Sequence, residues 1–343
     1  MIFIDNENIT DPRINLAIEE YALRNLFPDD DLFLFYINRP SIIIGRNQNT
    51  LEEINYDYVR KKGITVVRRI SGGGAVYHDQ GNLNFSFIKP YSPSRLNNFL
   101  EFTQPIIEVL RDLGIPAELS GRNDLVVDGL KISGNAQHST KSRMFSHGTL
   151  LFDSDLNEVV ESLNVKMTKI KSKGMKSIRS RVSNISRFLK RPIDIQQLRD
   201  RIKEAIFQGS GSHVNYHLTE DDWQRVRELS NIKYANWNWN FGNSPTFNVR
   251  RSHRFDIGEV DLRIDVEKGH VQDLKIYGDF LGKNDVSILE KAVIGRRYDA
   301  DDIEDVLKLY NVNDFFGKVT HKEIRELFIG DELVVYLKSA GNI

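Results

Sequence analysis

The chain has 343 residues, enough for about two domains. Its 47 basic and 48 acidic residues leave a formal net charge of −1, so any basic surface that attracts a polyanion must be local. The absence of cysteine excludes disulfides, thiolate metal sites and cysteine nucleophiles. No apolar run approaches the roughly 20 residues of a membrane helix, and the N-terminus lacks a signal-peptide pattern. The cytoplasm is therefore the expected location.

The first part of the chain predicts alternating helices and strands. Asp11 suits the N-cap and Pro12 the first turn of a helix whose apolar residues recur at helical spacing. Thr50 and Glu53 predict a capping box for a helix that ends at Gly63. Apolar or alternating runs predict strands at 32–37, 41–45, 64–70 and 82–88, and a further helix is predicted over 97–113.

The strand predicted at 82–88 alternates polar and apolar residues, which is typical of a half-buried strand. Asp128-Gly129 predicts a type I′ turn in a hairpin over 124–133. The remaining segments of this part predict a strand at 146–152 and helices at 155–163, 194–207 and 219–230.

The window 166–191 contains ten Lys or Arg and no Asp or Glu. Its glycine and serines favour a mobile loop, and it holds a single aromatic residue for stacking on bases. Two interpretations remain open: a cationic flap that closes over a triphosphate, or a surface that is either merely solvated or faces nucleic acid.

The C-terminal part predicts a small α+β domain. The stretch 236–249 is rich in Asn, Gly and Pro and indicates a domain junction. Strictly alternating apolar residues at 260–266 and a Lys-Gly turn at 268–269 predict paired strands, and amphipathic helices follow. We therefore expect one domain over 1–244 and an accessory domain over 245–343.

The stretch "RRISGGGAVYHDQGNLNFSF" at 68–87 has three consecutive glycines. Bare main-chain N–H groups next to Arg68 and Arg69 could cradle a carboxylate or phosphate, and a tight turn is the alternative. The spacing matches neither the P-loop nor the dinucleotide-binding fingerprint. Lys131, between Leu130 and Ile132 on a predicted strand, is either solvated or aimed into a cleft.

Four segments in the same order resemble the lipoate–protein ligase A family. They are "RRISGGGAVYHDQGNLNFSF", "SGRNDLVVDGLKISGNAQ", "SHGTLLFD" and "KGMKSIRSRVSNI". The resemblance implies an α/β catalytic domain of the type shared with biotin ligases and class II aminoacyl-tRNA synthetases, with a small C-terminal α+β accessory domain. It also implies a two-step reaction, in which ATP converts lipoate to lipoyl-AMP and the lipoyl group then passes to a lysine of an apo lipoyl domain.

The resemblance further implies roles for particular residues. Lys131 would be the catalytic lysine that contacts both the lipoyl carbonyl and the α-phosphate. The implied ATP and adenylate contacts are Arg69, Gly74, Ala75, Val76, Tyr77, Asp124, Lys131 and Ser180, and the implied lipoate contacts are Ser71, Gly72, Gly73, Gly74, His78, Lys131 and His147. Residues 171–185 would form a loop that orders over the adenylate. Mg²⁺ is expected with ATP, held mainly by the phosphates.

Three alternatives differ in their sequence requirements. A transferase that moves octanoyl or lipoyl groups through a cysteine thioester is closed to a chain without cysteine. A biotin ligase would carry an arginine-glycine loop of the "GRGRRG" kind, where this chain has Ser-Gly-Gly-Gly. A non-catalytic module that binds nucleotides or lipoyl domains would give no lipoyl product.

The expected acceptors are the acyltransferases of 2-oxoacid dehydrogenases and the glycine-cleavage H protein, and nucleic acid and membranes are not expected partners.

Overall fold

The computed structural model describes residues 1–163, 181–208, 214–241, 249–267, 269–298, 300–329 and 335–336. The chain divides into two compact units. The large unit contains Met1–Ile44, Thr50–Ile70 and Ala75–Asn240, and the small unit contains Gly45–Asn49, Ser71–Gly74 and Phe241–Ile343. The domain boundary expected at 244/245 falls outside the described residues and stays a prediction.

The large unit is built around an eight-stranded sheet in the order β11-β1-β2-β6-β10-β9-β8-β7. Strand β1 is parallel to both β2 and β11, and the other neighbours are antiparallel. A three-stranded sheet, β4-β3-β5, is separate from it. The strands are β1 (Ile2–Asp5), β2 (Leu32–Ile37), β3 (Ser41–Ile44), β4 (Thr65–Arg68), β5 (Val76–His78), β6 (Asn82–Pro90), β7 (Glu118–Ser120), β8 (Asp124–Val127), β9 (Leu130–Ser139), β10 (Arg143–Leu151) and β11 (Val214–His217).

The large unit also contains α-helices in its described residues. They are α1 (Pro12–Asn25), α2 (Thr50–Glu53), α3 (Tyr56–Lys62), α4 (Phe99–Asp112), α5 (Leu156–Ser162), α6 (Ile195–Phe207), α7 (Glu220–Leu229) and α8 (Trp237–Asn240). One apolar core joins the sheet to α4 and α6, and a second joins the opposite face to α1 and α7. The sheet is therefore covered on both sides by apolar packing.

Three local predictions are confirmed. Asp11 caps α1 by accepting a hydrogen bond from the main-chain N–H of Arg13, and Pro12 occupies the first turn. Gly63 ends α3 in the left-handed conformation, with φ 65°. Asp128 and Gly129 both have positive φ, 51° and 76°, as a type I′ turn requires.

Two other predictions are wrong in instructive ways. The helix expected after Thr50 is broken into α2 and α3, and Asn55 caps the second piece. The Thr50 hydroxyl does not cap a helix, because it accepts a hydrogen bond from the Arg68 guanidinium and donates one to the carbonyl of Asn240. The strands predicted at 32–37 and 41–45, on either side of Pro40, are both present as β2 and β3, and they belong to different sheets.

Strand β6 is buried on both faces, so the half-buried strand predicted from its alternation is also a correction. Asn82, Asn84 and Ser86 are at most 1% exposed, as are Leu83 and Phe85 on the other face. The polar residues face the side of the sheet on which α1 packs, since Ser86 lies opposite Leu34 of β2, a residue of the α1-side core. A polar face inside the protein is the setting of the candidate site.

The small unit has its own four-stranded antiparallel sheet and apolar core. Its order is β14-β13-β12-β15, with β12 (Val249–Phe255), β13 (Gly258–Glu267), β14 (His270–Gly278) and β15 (Val335–Tyr336). Its helices are α9 (Ser287–Val293), α10 (Ala300–Lys308), α11 (Asn313–Phe316) and α12 (His321–Ile329). The predicted α+β character is confirmed. Across the described residues, no helix is both long and apolar enough to span a bilayer.

Candidate functional site

The three glycines at 72–74, which lie in the small unit, meet different steric requirements. A Cβ at Gly72 would come within 2.5 Å of the carbonyl oxygen of Phe280, so close packing accounts for this glycine. Gly73 has φ 92°, a conformation that L side chains rarely adopt. A Cβ at Gly74 would meet no atom within 4 Å, so Gly74 borders open space. Ser71, just before the triplet, is buried, and its carbonyl accepts a hydrogen bond from the N–H of Arg46.

The two arginines before the glycines have different hydrogen-bond partners. Arg68 is a structural clamp, because its guanidinium donates to Thr50 and to the carbonyls of Trp239 and Asn240. This corrects the expectation that both arginines supply charge to an anion cradle. Arg69 is buried and donates to the carbonyl of Ile43 at 3.0 Å. Burial lowers the pKa of Arg69 to about 10, and Tyr36 and Glu19 partly oppose that effect.

A row of small and polar residues crosses the face of the eight-stranded sheet on which α1 packs. Ser86 of β6 pairs with His147 of β10, which in turn pairs with Ala136 of β9. Gly134 is two residues from Ala136 and shares its face, in the neighbouring row of side chains. Ala136 and Gly134 therefore place no large side chain on this part of the face.

The Lys131 side chain extends next to Gly134 from the start of β9, beside the β8–β9 turn. Its Nζ lies 2.8 Å from Asp124 Oδ1, and both side chains are about one-third exposed, at 35% and 31%. A Cβ at Gly134 would meet the Lys131 Nζ at 2.9 Å, so the glycine makes space for the ammonium. The Lys131 main chain pairs with residues 181–183, where the described chain resumes after 163. The Lys131 ammonium is thus paired with Asp124 and also in contact with solvent.

His147 is oriented by a buried carboxylate that the sequence reasoning missed. Its Nδ1 donates to both oxygens of Glu19 of α1, at 2.9 and 3.0 Å. Glu19 is 1% exposed. Its charged side chain occurs among the apolar positions of α1, four residues after the buried Asn15, and that interruption of an apolar pattern was the available signal.

His78 is buried at the end of β5, and its Nδ1 lies 3.0 Å from the Asn38 side-chain amide nitrogen. Burial, with smaller effects from Arg69 and His147, lowers the pKa of His78 to about 3. The ring is therefore neutral at physiological pH. Asn38 was also missed, because nothing local marks an asparagine after β2 as a partner of a histidine 40 positions later.

The rest of the predicted nucleotide segment lies on or next to β5. Val76 and Tyr77 pair with Ile43 and Ile42 of β3, and Ala75 precedes them. The Tyr77 side chain is buried, and burial raises its pKa well above the usual value. Ser180 and most of the 166–191 window, including the expected loop at 171–185 up to residue 180, lie outside the described residues.

The large unit therefore contains Arg69, His78 and His147, with Asn38 bonded to His78 and Glu19 bonded to His147. Positive charge at Lys131 can neutralise an anion, and the buried histidines and arginine offer directed N–H donors. Among the described residues there is no group of three or more His, Asp or Glu side chains arranged to hold a metal ion.

Comparisons with known proteins cover nearly the whole chain. Residues 11–207 match the lipoyl protein ligase A/B catalytic domain, and residues 244–328 match the bacterial lipoate protein ligase C-terminus. The chain is 54% identical over 329 residues to the lipoate-protein ligase LplJ of Bacillus subtilis, covering 95% of this chain and 99% of the relative.

Two solved structures are also similar. The structure of P. falciparum LipL1 in complex with lipoate has a TM-score of 0.80 and 25% identity, and the match covers 96% of this chain and 99% of that one. A lipoate-protein ligase A bound with ATP has a TM-score of 0.58 and 29% identity, over 68% of this chain and 94% of that one. The similarity includes both the catalytic fold and the C-terminal part.

Proposed function

The chain belongs to the lipoate–protein ligase family, and we propose that its buried polar face and Lys131 carry out the two half-reactions of an ATP-dependent lipoate ligase. In the first, the lipoate carboxylate attacks the α-phosphorus of ATP, and pyrophosphate leaves. In the second, the amine of an acceptor lysine attacks the lipoyl carbonyl carbon, and AMP leaves as the amide forms. The similarity to lipoate ligases over both domains carries this proposal.

Lys131 is assigned to charge stabilisation in both steps. Each transition state gathers negative charge on phosphoryl or carbonyl oxygens, and a fixed ammonium stabilises that charge without solvent reorganisation. The pairing with Asp124 keeps the ammonium at the rim of the face, while its exposure lets ligand oxygens replace solvent. No side-chain nucleophile is required, because the substrate carboxylate and the acceptor amine are the nucleophiles.

We assign nucleotide contacts to Arg69, Asp124 and the segment Gly74-Ala75-Val76-Tyr77, and to Ser180 by family resemblance. Open space at Gly74 supports close approach of a phosphate to the main chain. ATP is a substrate here, and Mg²⁺ would be held chiefly by its phosphates, where it would neutralise their charge.

We assign lipoate contacts to Ser71, Gly72, Gly73, Gly74, His78, His147 and Lys131. The buried setting of the two histidines supports a site that excludes water from the acyl chain. The acceptors are lipoyl domains, and we propose the acyltransferases of 2-oxoacid dehydrogenases and the glycine-cleavage H protein as the specific ones. We place the reaction in the cytoplasm, where ATP and newly made acceptor domains are available.

The direct test combines the protein with ATP, Mg²⁺, lipoate and an apo lipoyl domain, and measures the domain's mass. We expect the mass of one lipoyl group on one lysine, dependent on ATP, with release of pyrophosphate. A domain that a known ligase can modify but that gains no mass here would overturn the proposal and favour a binding module.

A further inference from the structure

We propose that a chain of three buried asparagines holds His78 as an Nε2–H donor toward the dithiolane of lipoate, and thereby favours lipoate over octanoate. The inference rests on the proposed function and adds a basis for substrate selectivity to it. It concerns side chains of the large unit alone.

The asparagine chain runs from the loop after β1 to His78. Asn6 Nδ2 donates to Asn15 Oδ1 at 3.0 Å, and Asn15 Nδ2 donates to Asn38 Oδ1 at 2.8 Å. Asn38 Nδ2 then lies 3.0 Å from His78 Nδ1. All four side chains are buried, none more than 3% exposed.

The main-chain carbonyl of Ile9 fixes the direction of every bond in the chain. A carbonyl only accepts, and both Asn6 Nδ2 and Asn15 Nδ2 donate to it, at 3.1 and 2.8 Å. The orientation of the Asn15 amide makes Asn38 Oδ1 the acceptor, which leaves Asn38 Nδ2 facing the ring. His78 Nδ1 must therefore accept, and the ring proton sits on Nε2.

The His78 Nε2–H is a buried donor without a hydrogen-bond partner in the described part of the chain. Buried donors are nearly always paired, so an orphan of this kind indicates a partner that arrives from outside. The titratable groups that act on the ring are Arg69, a predicted adenylate contact, and His147, a predicted lipoate contact. The orphan donor therefore belongs to the substrate site.

Burial and the nearby Arg69 also disfavour a charged His78, whose pKa falls to about 3. The ring stays neutral across the pH range in which the enzyme works. The ring therefore offers an uncharged N–H donor, and such a donor suits a weakly polar atom of the ligand.

Lipoate and octanoate share a carboxylate and an eight-carbon chain, and they differ in the dithiolane. In the proposed function Lys131 binds the carboxylate end of lipoate. The two sulfurs are then the only other hydrogen-bond acceptors of lipoate. Sulfur accepts weakly, but it does satisfy a donor. Octanoate would leave the His78 Nε2–H unpaired, and sites that bury a polar group discriminate against ligands that lack its partner.

The experiment uses Asn38→Asp in the full-length protein, with pyrophosphate release measured for lipoate and for octanoate. The carboxylate keeps the bond from Asn15 and accepts from His78 Nδ1–H, so the neutral ring moves its proton from Nε2 to Nδ1. At pH 8 we expect the ratio of kcat/KM for lipoate to that for octanoate to fall roughly threefold to tenfold, the range of one neutral hydrogen bond.

The pH profile separates this role from a structural one. At pH 6 the new carboxylate favours the imidazolium of His78, which again has an Nε2–H, so the variant should regain part of its lipoate preference. The wild-type ratio should not change between pH 6 and pH 8. Asn25→Asp, the same change at an exposed position of α1, should behave as wild type.

Equal losses for the two acids in Asn38→Asp would overturn the inference, because they would indicate a shared acyl or phosphate acceptor. An unchanged ratio would overturn it as well. If the variant does not fold, ¹⁵N spectra of the wild-type His78 ring decide the matter: a protonated Nδ1, or an Nε2–H signal that lipoate does not shift, contradicts it.

The wild-type protein distinguishes this failure from a failure of the proposed function. Pyrophosphate release with either acid shows that the ligase activity stands, whatever the variant does. Release with neither acid would remove the proposed function and this inference with it.

Discussion

Lys131 Nζ lies 2.8 Å from Asp124 Oδ1, across the two strands that the Asp128-Gly129 turn joins. Partly exposed ion pairs of this kind contribute little to stability, so the pair is better explained by positioning of the ammonium. Gly134 supports this explanation, because a larger residue there would collide with the Lys131 Nζ.

Lys131→Met should abolish most adenylate formation while the fold survives. Loss of one preorganised charge donor lowers the rate roughly a hundredfold to a thousandfold, and a third-exposed side chain contributes little to packing. Lipoate-dependent pyrophosphate release measures the rate, and a thermal melt measures the fold. Lys141→Met, at an exposed lysine between β9 and β10, is the matched control. Normal pyrophosphate release by the Lys131 variant would refute the assigned role.

Asp124→Asn should lower the rate of adenylate formation about tenfold, less than Lys131→Met does. The ammonium remains but loses the charged partner that fixes its position, and a misplaced group costs rate. Asp128→Asn is the control, since asparagine also tolerates the positive φ of 51° in the turn. Equal activity of the two variants would show that the Asp124 pairing has no positioning role.

Gly72→Ala and Gly74→Ala should separate packing from ligand approach within the glycine triplet. The Cβ at 72 would collide with the Phe280 carbonyl, so the free energy of unfolding should fall by about 1–3 kcal/mol. The Cβ at 74 meets open space, so stability should stay within about 0.5 kcal/mol while adenylate formation falls. Urea unfolding and pyrophosphate release measure the two effects. A Gly74 variant with full activity would argue against close approach of a ligand there.

His78 should make the protein less stable as the pH falls below 6.5. Its pKa is about 3 in the folded state against 6.5 unfolded, so the unfolded chain binds a proton that the native protein does not. Between pH 7 and pH 5 this single group should remove about 2 kcal/mol from the free energy of unfolding. The measurement compares wild type with His78→Gln in urea at both pH values. The same loss in the two proteins would mean that His78 is not held neutral.

Features made by sequence neighbours were predicted well. Asp11 caps the residues that follow it, and Asp128-Gly129 forms its turn from its own two φ angles. Both depend on a few adjacent residues, which is the range over which sequence patterns act directly.

Features that depend on distant segments could not be predicted in the same way. The alternation of β6 indicates two unlike faces, but only the packing of α1 shows that the polar one is buried. Glu19 and Asn38 gain their significance from histidines 128 and 40 positions away. The glycine triplet, Arg69 and Lys131 were marked by the sequence itself. The other site residues came from family resemblance, which records long-range pairing that no local pattern contains.

The central claim is that Lys131 and Arg69, both in the large unit, contact one lipoyl-adenylate. A crystal structure of the protein with that intermediate, or with a non-hydrolysable analogue, tests it most directly. We expect the Lys131 Nζ within hydrogen-bonding distance of both the acyl carbonyl oxygen and an α-phosphate oxygen, with the Arg69 guanidinium against the same ligand. An adenylate bound without contact to Lys131, or away from Arg69, would contradict the account.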